Sequence, residues 1–338
     1  MGTLRFHPYH RLGDIPNVVV DGSPTESTRL TLSHWPGSPT PVNLLDDLSA
    51  QIAFHALDHP ELFDGIEAVS NNHFDQDGLM SAFALLQPDE AIARRAQVID
   101  VASAGDFASF IDRDSMRIAI AIAAHDLPDR SPLPADTFVG GYPEQCAAVY
   151  EAMLPRCVEL LDHPDRFRSL WETEDAHLTE SLDAIDRGVV RVHEEPELDL
   201  VVCEVPDEWA TRSATRFTVH QQAALHPAAL PNRTECMRML VSHGGHHRLE
   251  CRYETWVMYQ SRVLQQRPDL RLLSAHLHQL EPGAGWRADA PGGLTPAMEA
   301  TVGTGLSLDG FLAEVRSFLA TAAYGADPQA SGRPSPLV

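Results

Sequence analysis

Ile66-Glu67-Ala68-Val69-Ser70-Asn71-Asn72-His73-Phe74-Asp75-Gln76-Asp77-Gly78-Leu79-Met80-Ser81-Ala82-Phe83-Ala84-Leu85-Leu86 reads as a strand that runs through a short polar loop into a helix. The run 66–70 is apolar and compact enough for a buried strand, and Gly78 lets the chain turn tightly into the helix over 78–86. Upstream, 17–21 is a second buried strand ended by an Asp21-Gly22 turn, and 29–35 is a third, stopped by Pro36-Gly37. Between them and the opening segment, Leu44, Leu45, Leu48, Ile52, Ala53 and Ala56 recur at helical spacing. Downstream, a helix over 88–95, a strand over 96–101 and an apolar helix over 113–125 continue the pattern. Strands alternating with helices predict a parallel sheet with crossover helices. Residues 1–16 read as an irregular arm.

The second half has a different texture. Helices are expected over 143–162, 168–187 and 307–320, with strands over 189–193, 198–205, 215–220, 236–243 and 247–258. The last two strands join through His243-Gly244-Gly245-His246 as an antiparallel hairpin. The expected class is therefore α/β, with a mainly parallel sheet and crossover helices first and an α+β second half after it. Pro128, Pro132, Pro134 and Gly140-Gly141 place the break, giving domains 1–135 and 136–322. Residues 323–338, rich in Pro, Gly, Ser and Ala, read as a flexible tail.

The 338 residues are 43% hydrophobic and 22% charged, enough apolar material for a packed core. No apolar run has membrane-spanning length and the first residues lack a signal core, so a cytoplasmic protein with no membrane partner is expected. The five cysteines are widely spaced without a CxxC pair, which argues against a disulfide framework or a structural zinc site. The formal charge of −23 opposes binding to duplex nucleic acid. Every basic residue is arginine. Without lysine there is no Schiff-base nucleophile, no pyridoxal phosphate attachment and no P-loop lysine. Nucleophile-elbow, His-Glu-x-x-His and dinucleotide-binding glycine motifs are also absent from the sequence.

Chemistry concentrates in His73, Asp75 and Asp77. Ligands of open α/β sheets bind beyond the carboxyl ends of the strands, and alternate residues of an extended segment point the same way. Two carboxylates brought that close repel unless a cation or a proton lies between them. An imidazole with carboxylates suits manganese, iron or zinc better than calcium. The competing account is an Asx turn, with Asp75 capping the loop and Asp77 as N-cap of the helix.

The segment resembles the first motif of the DHH phosphoesterase superfamily, in which a strand ends in a His/Asp-x-Asp-x-Asp-Gly pattern before a small residue and a helix. Gly78 and Ser81-Ala82 fit that pattern. The resemblance covers about residues 66–100. It implies that His73, Asp75 and Asp77 hold a divalent metal pair, usually manganese, with Asp100 as the second-motif aspartate. The Asp-His-His tripeptide that names the superfamily is absent, which leaves Asp106 and His125-Asp126 as later acidic or imidazole groups in the same half. Gly244-Gly245-His246 is similar to a substrate-binding glycine motif of the superfamily, though a hairpin turn explains it as well. The whole chain, with Leu32-Ser33-His34-Trp35-Pro36-Gly37 and Arg252-Tyr253-Glu254-Thr255-Trp256-Val257, resembles an uncharacterised bacterial family of unknown function.

The candidate metal ligands are thus His73, Asp75, Asp77, Asp100 and Asp106, the first three also being the candidate catalytic residues. His34, Arg233 and Arg252 are candidates for substrate binding. Simpler accounts exist for His34 as a polar strand end and for Arg252 as a partner of Glu250 and Glu254. The expected function is a divalent-metal-dependent hydrolase of phosphoesterase type acting on a small anionic substrate. Its cofactor is manganese, or zinc or iron. The alternatives are a non-catalytic module that binds a small molecule or a protein, and a mononuclear metalloenzyme of another reaction class.

Overall fold

The architecture is described from a computed structural model, which covers residues 4–321; the expected tail over 323–338 lies outside them. The described residues form two compact units, one of 4–176 with 213–221 and one of 177–212 with 222–321. The break expected at 135/136 falls inside the first unit.

The first unit begins with β1 (Arg5–Phe6), β2 (Asn17–Val20), β3 (Thr28–Leu32), α1 (Ser49–Leu57), β4 (Ala68–Ser70) and α2 (Gln76–Leu86). It continues with α3 (Pro88–Ala93), α4 (Arg95–Asp106), α5 (Arg113–Asp126), α6 (Tyr142–Met153) and α7 (Cys157–Asp162), and α8 spans Arg168–Asp186. The sheet has the order β1-β4-β2-β3, and every pair in it is parallel. Val18, Val19 and Val20 are fully buried, as the unbroken apolar run requires of a strand covered on both faces. Residues 76–85 of α2 are buried on all sides, packed against α1 and α4, so this helix is central rather than amphipathic.

Residues 96–101 form part of α4 and not a strand. Val98, Val101, Ala102 and Gly105 are buried at helical spacing and pack toward α2 and α5. A six-residue window rich in Val and Ile cannot separate a strand from a buried helical turn. β1 is the other departure, since two residues of the supposed irregular arm pair with β4.

The second unit contains β5 (Arg191–Glu195) and β6 (Leu200–Glu204). β7 (Arg212–Arg216) and β8 (Val219–Ala223) form a separate two-stranded sheet, and its residues 213–221 belong to the first unit. Then come β9 (Arg238–His243), β10 (His246–Cys251), α9 (Leu270–Leu280), β11 (Trp286–Ala288), β12 (Ala297–Ala300) and α10 (Leu308–Thr321). A six-stranded sheet has the order β11-β12-β10-β9-β6-β5, with only β6 and β9 parallel among its pairs. Burial alternates along β9 and β10. Gly244 and Gly245, at φ +57° and +72°, form the two-residue turn between them. The expected strand over 247–258 ends at Cys251, where a tight turn over Tyr253–Thr255 begins. Leu273, Leu277, Phe311 and Val315 of α9 and α10 cover one face of the sheet, with Trp286 stacked on Phe311. Among the described residues no helix is long and apolar enough to cross a membrane.

Candidate metal centre

The carboxyl ends of three adjacent parallel strands meet at one place. Asp21 follows β2, His34 lies two residues past β3, and His73, Asp75 and Asp77 follow β4. Asp106, the last residue of α4, completes the group. β2 lies between β3 and β4, so His34 and His73 approach from opposite sides of Asp21. His34 Nε2 is 3.4 Å from Asp21 Oδ1, 3.4 Å from Asp106 Oδ2 and 3.9 Å from Asp77 Oδ2. His73 Nε2 is 2.8 Å from Asp75 Oδ2 and 3.3 Å from Asp21 Oδ2. Asp21, His34 and Asp77 have ligand atoms close enough to share one ion, and so do Asp21, His73 and Asp75. Asp21 belongs to both triads.

Local hydrogen bonds aim these side chains. His34 Nδ1 donates to the Asp47 carbonyl at 2.6 Å, which fixes the proton on Nδ1 and turns the lone pair of Nε2 toward the carboxylates. Metal-binding histidines are commonly oriented in this way. Asp77 accepts from the backbone N–H groups of Ser49 and Ala50, both at 2.7 Å, and so anchors to the first turn of α1. Asp75 caps α2 by accepting from Gly78 N at 2.8 Å. The capping role thus belongs to Asp75 for its own helix and to Asp77 for a different one, while one oxygen of each carboxylate stays beside an imidazole. Asn71 accepts from His73 N and donates to the Tyr150 hydroxyl, which fixes the loop.

The electrostatics are those of too many carboxylates in a dry place. Burial and then the Asp75 charge push Asp21 up to about 7, and burial and then Asp21 do the same to Asp77. Asp106 stands well above the carboxylate range, through burial and the charges of Asp75, Asp77 and Asp21. Its Oδ2 is buried and makes no hydrogen bond. Burial opposes charge on His73, but Asp75 and Asp21 outweigh it and raise its pKa well above the usual value. Burial lowers His34, so its Nε2 presents a lone pair to carboxylate oxygens. A divalent cation would relieve each of these conflicts, and mixed imidazole and carboxylate donors are a set that manganese, iron or zinc accepts. The His34 triad is closed to solvent, while His73 and Asp75 keep 14% and 15% of their side-chain surface. The centre opens on the His73 side.

Asp100 is not among the residues brought together. Its position in the middle of α4 follows from the helix found over 95–106, and its carboxylate accepts from Ile111 N and Asp112 N at 2.7 and 2.8 Å. It fastens the loop before α5, and Asp106, further along the same helix, reaches the cluster instead. His34 sits among the carboxylates as a potential ligand. Arg233 forms a two-point ion pair with Asp186, and buried Arg252 pairs with Glu254 and donates to the Thr234 carbonyl, all within the second unit. His125 is buried, its Nδ1 bonded to the Ala121 carbonyl. Asp21 is the residue that sequence reasoning missed. Gly22 beside it reads as a turn, yet its place at a strand's carboxyl end was the signal that had singled out His73.

The model of a family of unknown function (DUF6687) matches residues 2–314. The chain belongs to that family. This agrees with the whole-chain resemblance to an uncharacterised family. No curated protein and no solved structure matches the chain. The matched span includes every residue of both triads, so the centre lies within the DUF6687 region.

Proposed function

We propose that the protein is a divalent-metal-dependent hydrolase of the phosphoesterase type, acting on a small anionic substrate at a centre whose two ligand triads, sharing Asp21, would hold two cations. The sharing of Asp21 by two ligand triads carries the reading. His34 and Asp77, with Asp106 alongside, would hold one cation, and His73 and Asp75 the other. Two divalent cations held there would supply charge neutralisation and water activation. Manganese suits the donors, as do zinc and iron. The protein orients the ligands through the Asp47 carbonyl, the first turn of α1 and Asn71. Substrate enters beside His73 and Asp75, the partly exposed side. The reading draws on the strand-end position of His73, Asp75 and Asp77, the feature behind the likeness to the DHH phosphoesterases, and in it Asp106 would serve as the further carboxylate beside His34.

A non-catalytic binding module is the second reading, favoured by the missing Asp-His-His. Protein prepared without chelator, analysed for metal and assayed on a nitrophenyl phosphodiester, separates the two. The hydrolase reading expects bound manganese, iron or zinc and turnover that a chelator abolishes and added manganese restores. Bound metal without hydrolysis of any phosphoester favours the module.

A further inference from the structure

Helix α6 meets the loop that carries His73 and Asp75. Tyr142, Cys146 and Tyr150 recur every four residues along it and so share one helical face. Tyr150 is fully buried, its ring edge-on to Phe74 at 5.0 Å and its hydroxyl accepting from Asn71. Cys146, one turn earlier, is buried as well. At the other end of this face the Tyr142 hydroxyl accepts from the N–H of Phe74 at 3.3 Å, at the residue between His73 and Asp75. That is the side on which the centre opens, and Tyr142 is itself 50% exposed. The start of α6 is held in place by Gln145, whose amide donates to the carbonyls of Phe138 and Gly140 at 3.1 and 3.0 Å. Partial burial above all, then Cys146, with smaller effects from Asp126 and Asp75, raises the pKa of Tyr142 and keeps it protonated. A phenol that accepts one hydrogen bond still has a proton to donate. Among the described residues no acceptor takes it.

We propose that Tyr142 is a substrate-contacting residue of the centre, donating its hydroxyl proton to an oxygen of a phosphoryl group bound beside His73 and Asp75. This deepens the two-metal reading above and rests on it. The hydroxyl is positioned before substrate arrives, by the Phe74 N–H at one end and the pinned start of α6 at the other, so donation needs no reordering of the site. A neutral donor also adds a directional bond without the charge that would draw a cationic side chain onto the aspartates. Arg233 and Arg252, where the sequence sought the substrate-binding group, are held in ion pairs; in this account a phenol takes that part.

The test measures binding of inorganic phosphate by equilibrium dialysis, with metal content and a thermal melt on the same samples. Full-length wild type, Tyr142→Phe and Tyr150→Phe are each loaded with manganese. Tyr150→Phe also removes a hydroxyl that holds the loop, but a fully buried one, so it reports what loosening the loop does by itself. Wild type is expected to bind phosphate in a manganese-dependent way. Tyr142→Phe should keep the wild-type manganese content but bind phosphate about 10-fold more weakly, as expected for loss of a hydrogen bond to a charged group. Tyr150→Phe should weaken phosphate binding far less. Phosphate binding by Tyr142→Phe that equals wild type at full manganese content overturns the assignment, and so do equal losses in the two variants. A manganese-loaded wild type that ignores phosphate overturns it too; in all these cases the metal reading survives. A Tyr142→Phe protein that loses its manganese or its fold makes the hydroxyl a prop of the loop and likewise overturns the assignment. A wild type that takes up no manganese removes the metal reading, and this inference with it.

Discussion

Asp21→Asn is the most informative single change. Asparagine keeps the size of the side chain and tolerates the left-handed backbone of Asp21, φ +45°. Its amide oxygen can still accept from the Ser49 hydroxyl, which Asp21 Oδ1 does at 2.8 Å. What disappears is the charge shared by both triads. In metal-free protein above neutral pH the change removes a buried anion with a pKa near 7, so relief of repulsion on the order of a few kcal/mol opposes the weakened hydrogen bonds. The metal-free variant should therefore melt at or above wild type. With manganese the order reverses. A site at 100-fold excess of metal over Kd stabilises the native state by about 2.7 kcal/mol, or about 5–10 °C in Tm for a unit of this size. Wild type should show that gain for each occupied site and Asp21→Asn almost none. Asp75→Asn, which touches only the His73 triad, should keep about half the metal. Scanning calorimetry with and without manganese, beside metal analysis, reads all three proteins. An Asp21→Asn variant that keeps the metal content and manganese-dependent shift of wild type would refute the bridging role.

Other expectations concern pH, Asp100 and one glycine. In metal-free protein Asp21 and Asp77 hold protons up to about pH 7, whereas unfolded aspartates release them near 4. The folded state then binds more protons across that window, so metal-free stability should fall as pH rises from about 4 to 7. Metal competes with the same protons, so manganese affinity should rise with pH through about 7. Melts at pH 5 and 8, each with and without manganese, check both signs, and a metal-induced shift that shrinks at the higher pH contradicts them. Asp100→Asn should cost about 1–2 kcal/mol by weakening one of two buried hydrogen bonds and leave metal content intact; metal analysis showing a lost ion would return Asp100 to the ligand set. A Cβ on Gly22 would overlap the Asn72 amide and press on Asn71. Gly22→Ala should therefore destabilise by about 1–3 kcal/mol and lower metal affinity by displacing the neighbouring Asp21, which a melt and a manganese titration would detect.

The strand-to-helix passage at 66–86 was legible because a buried strand, a polar loop and an apolar helix leave distinct local patterns. It led to His73, Asp75 and Asp77, and the same pattern gave the parallel sheet. The rest depended on contacts remote in sequence. Asp21 looked like half of a turn until β2 was placed between β3 and β4. Asp100 looked like a strand end because Val98, Ile99 and Val101 suit either secondary structure, and only packing toward α2 and α5 made 95–106 a helix and brought Asp106 forward. Tyr142 belongs to a helix and stands 68 residues from the amide its hydroxyl binds, a relation with no local signal. Arg252 carried its own warning in the alternation with Glu250 and Glu254, and its ion pair is indeed with Glu254.

The central claim is two cations that share Asp21. Crystals of wild type grown with manganese, measured at the manganese absorption edge, test it most directly. The account predicts two anomalous peaks about 4 Å apart, as in other two-metal sites, both within bonding distance of Asp21, one beside His34 and Asp77 and the other beside His73 and Asp75. A single peak, or none among these residues, would contradict it.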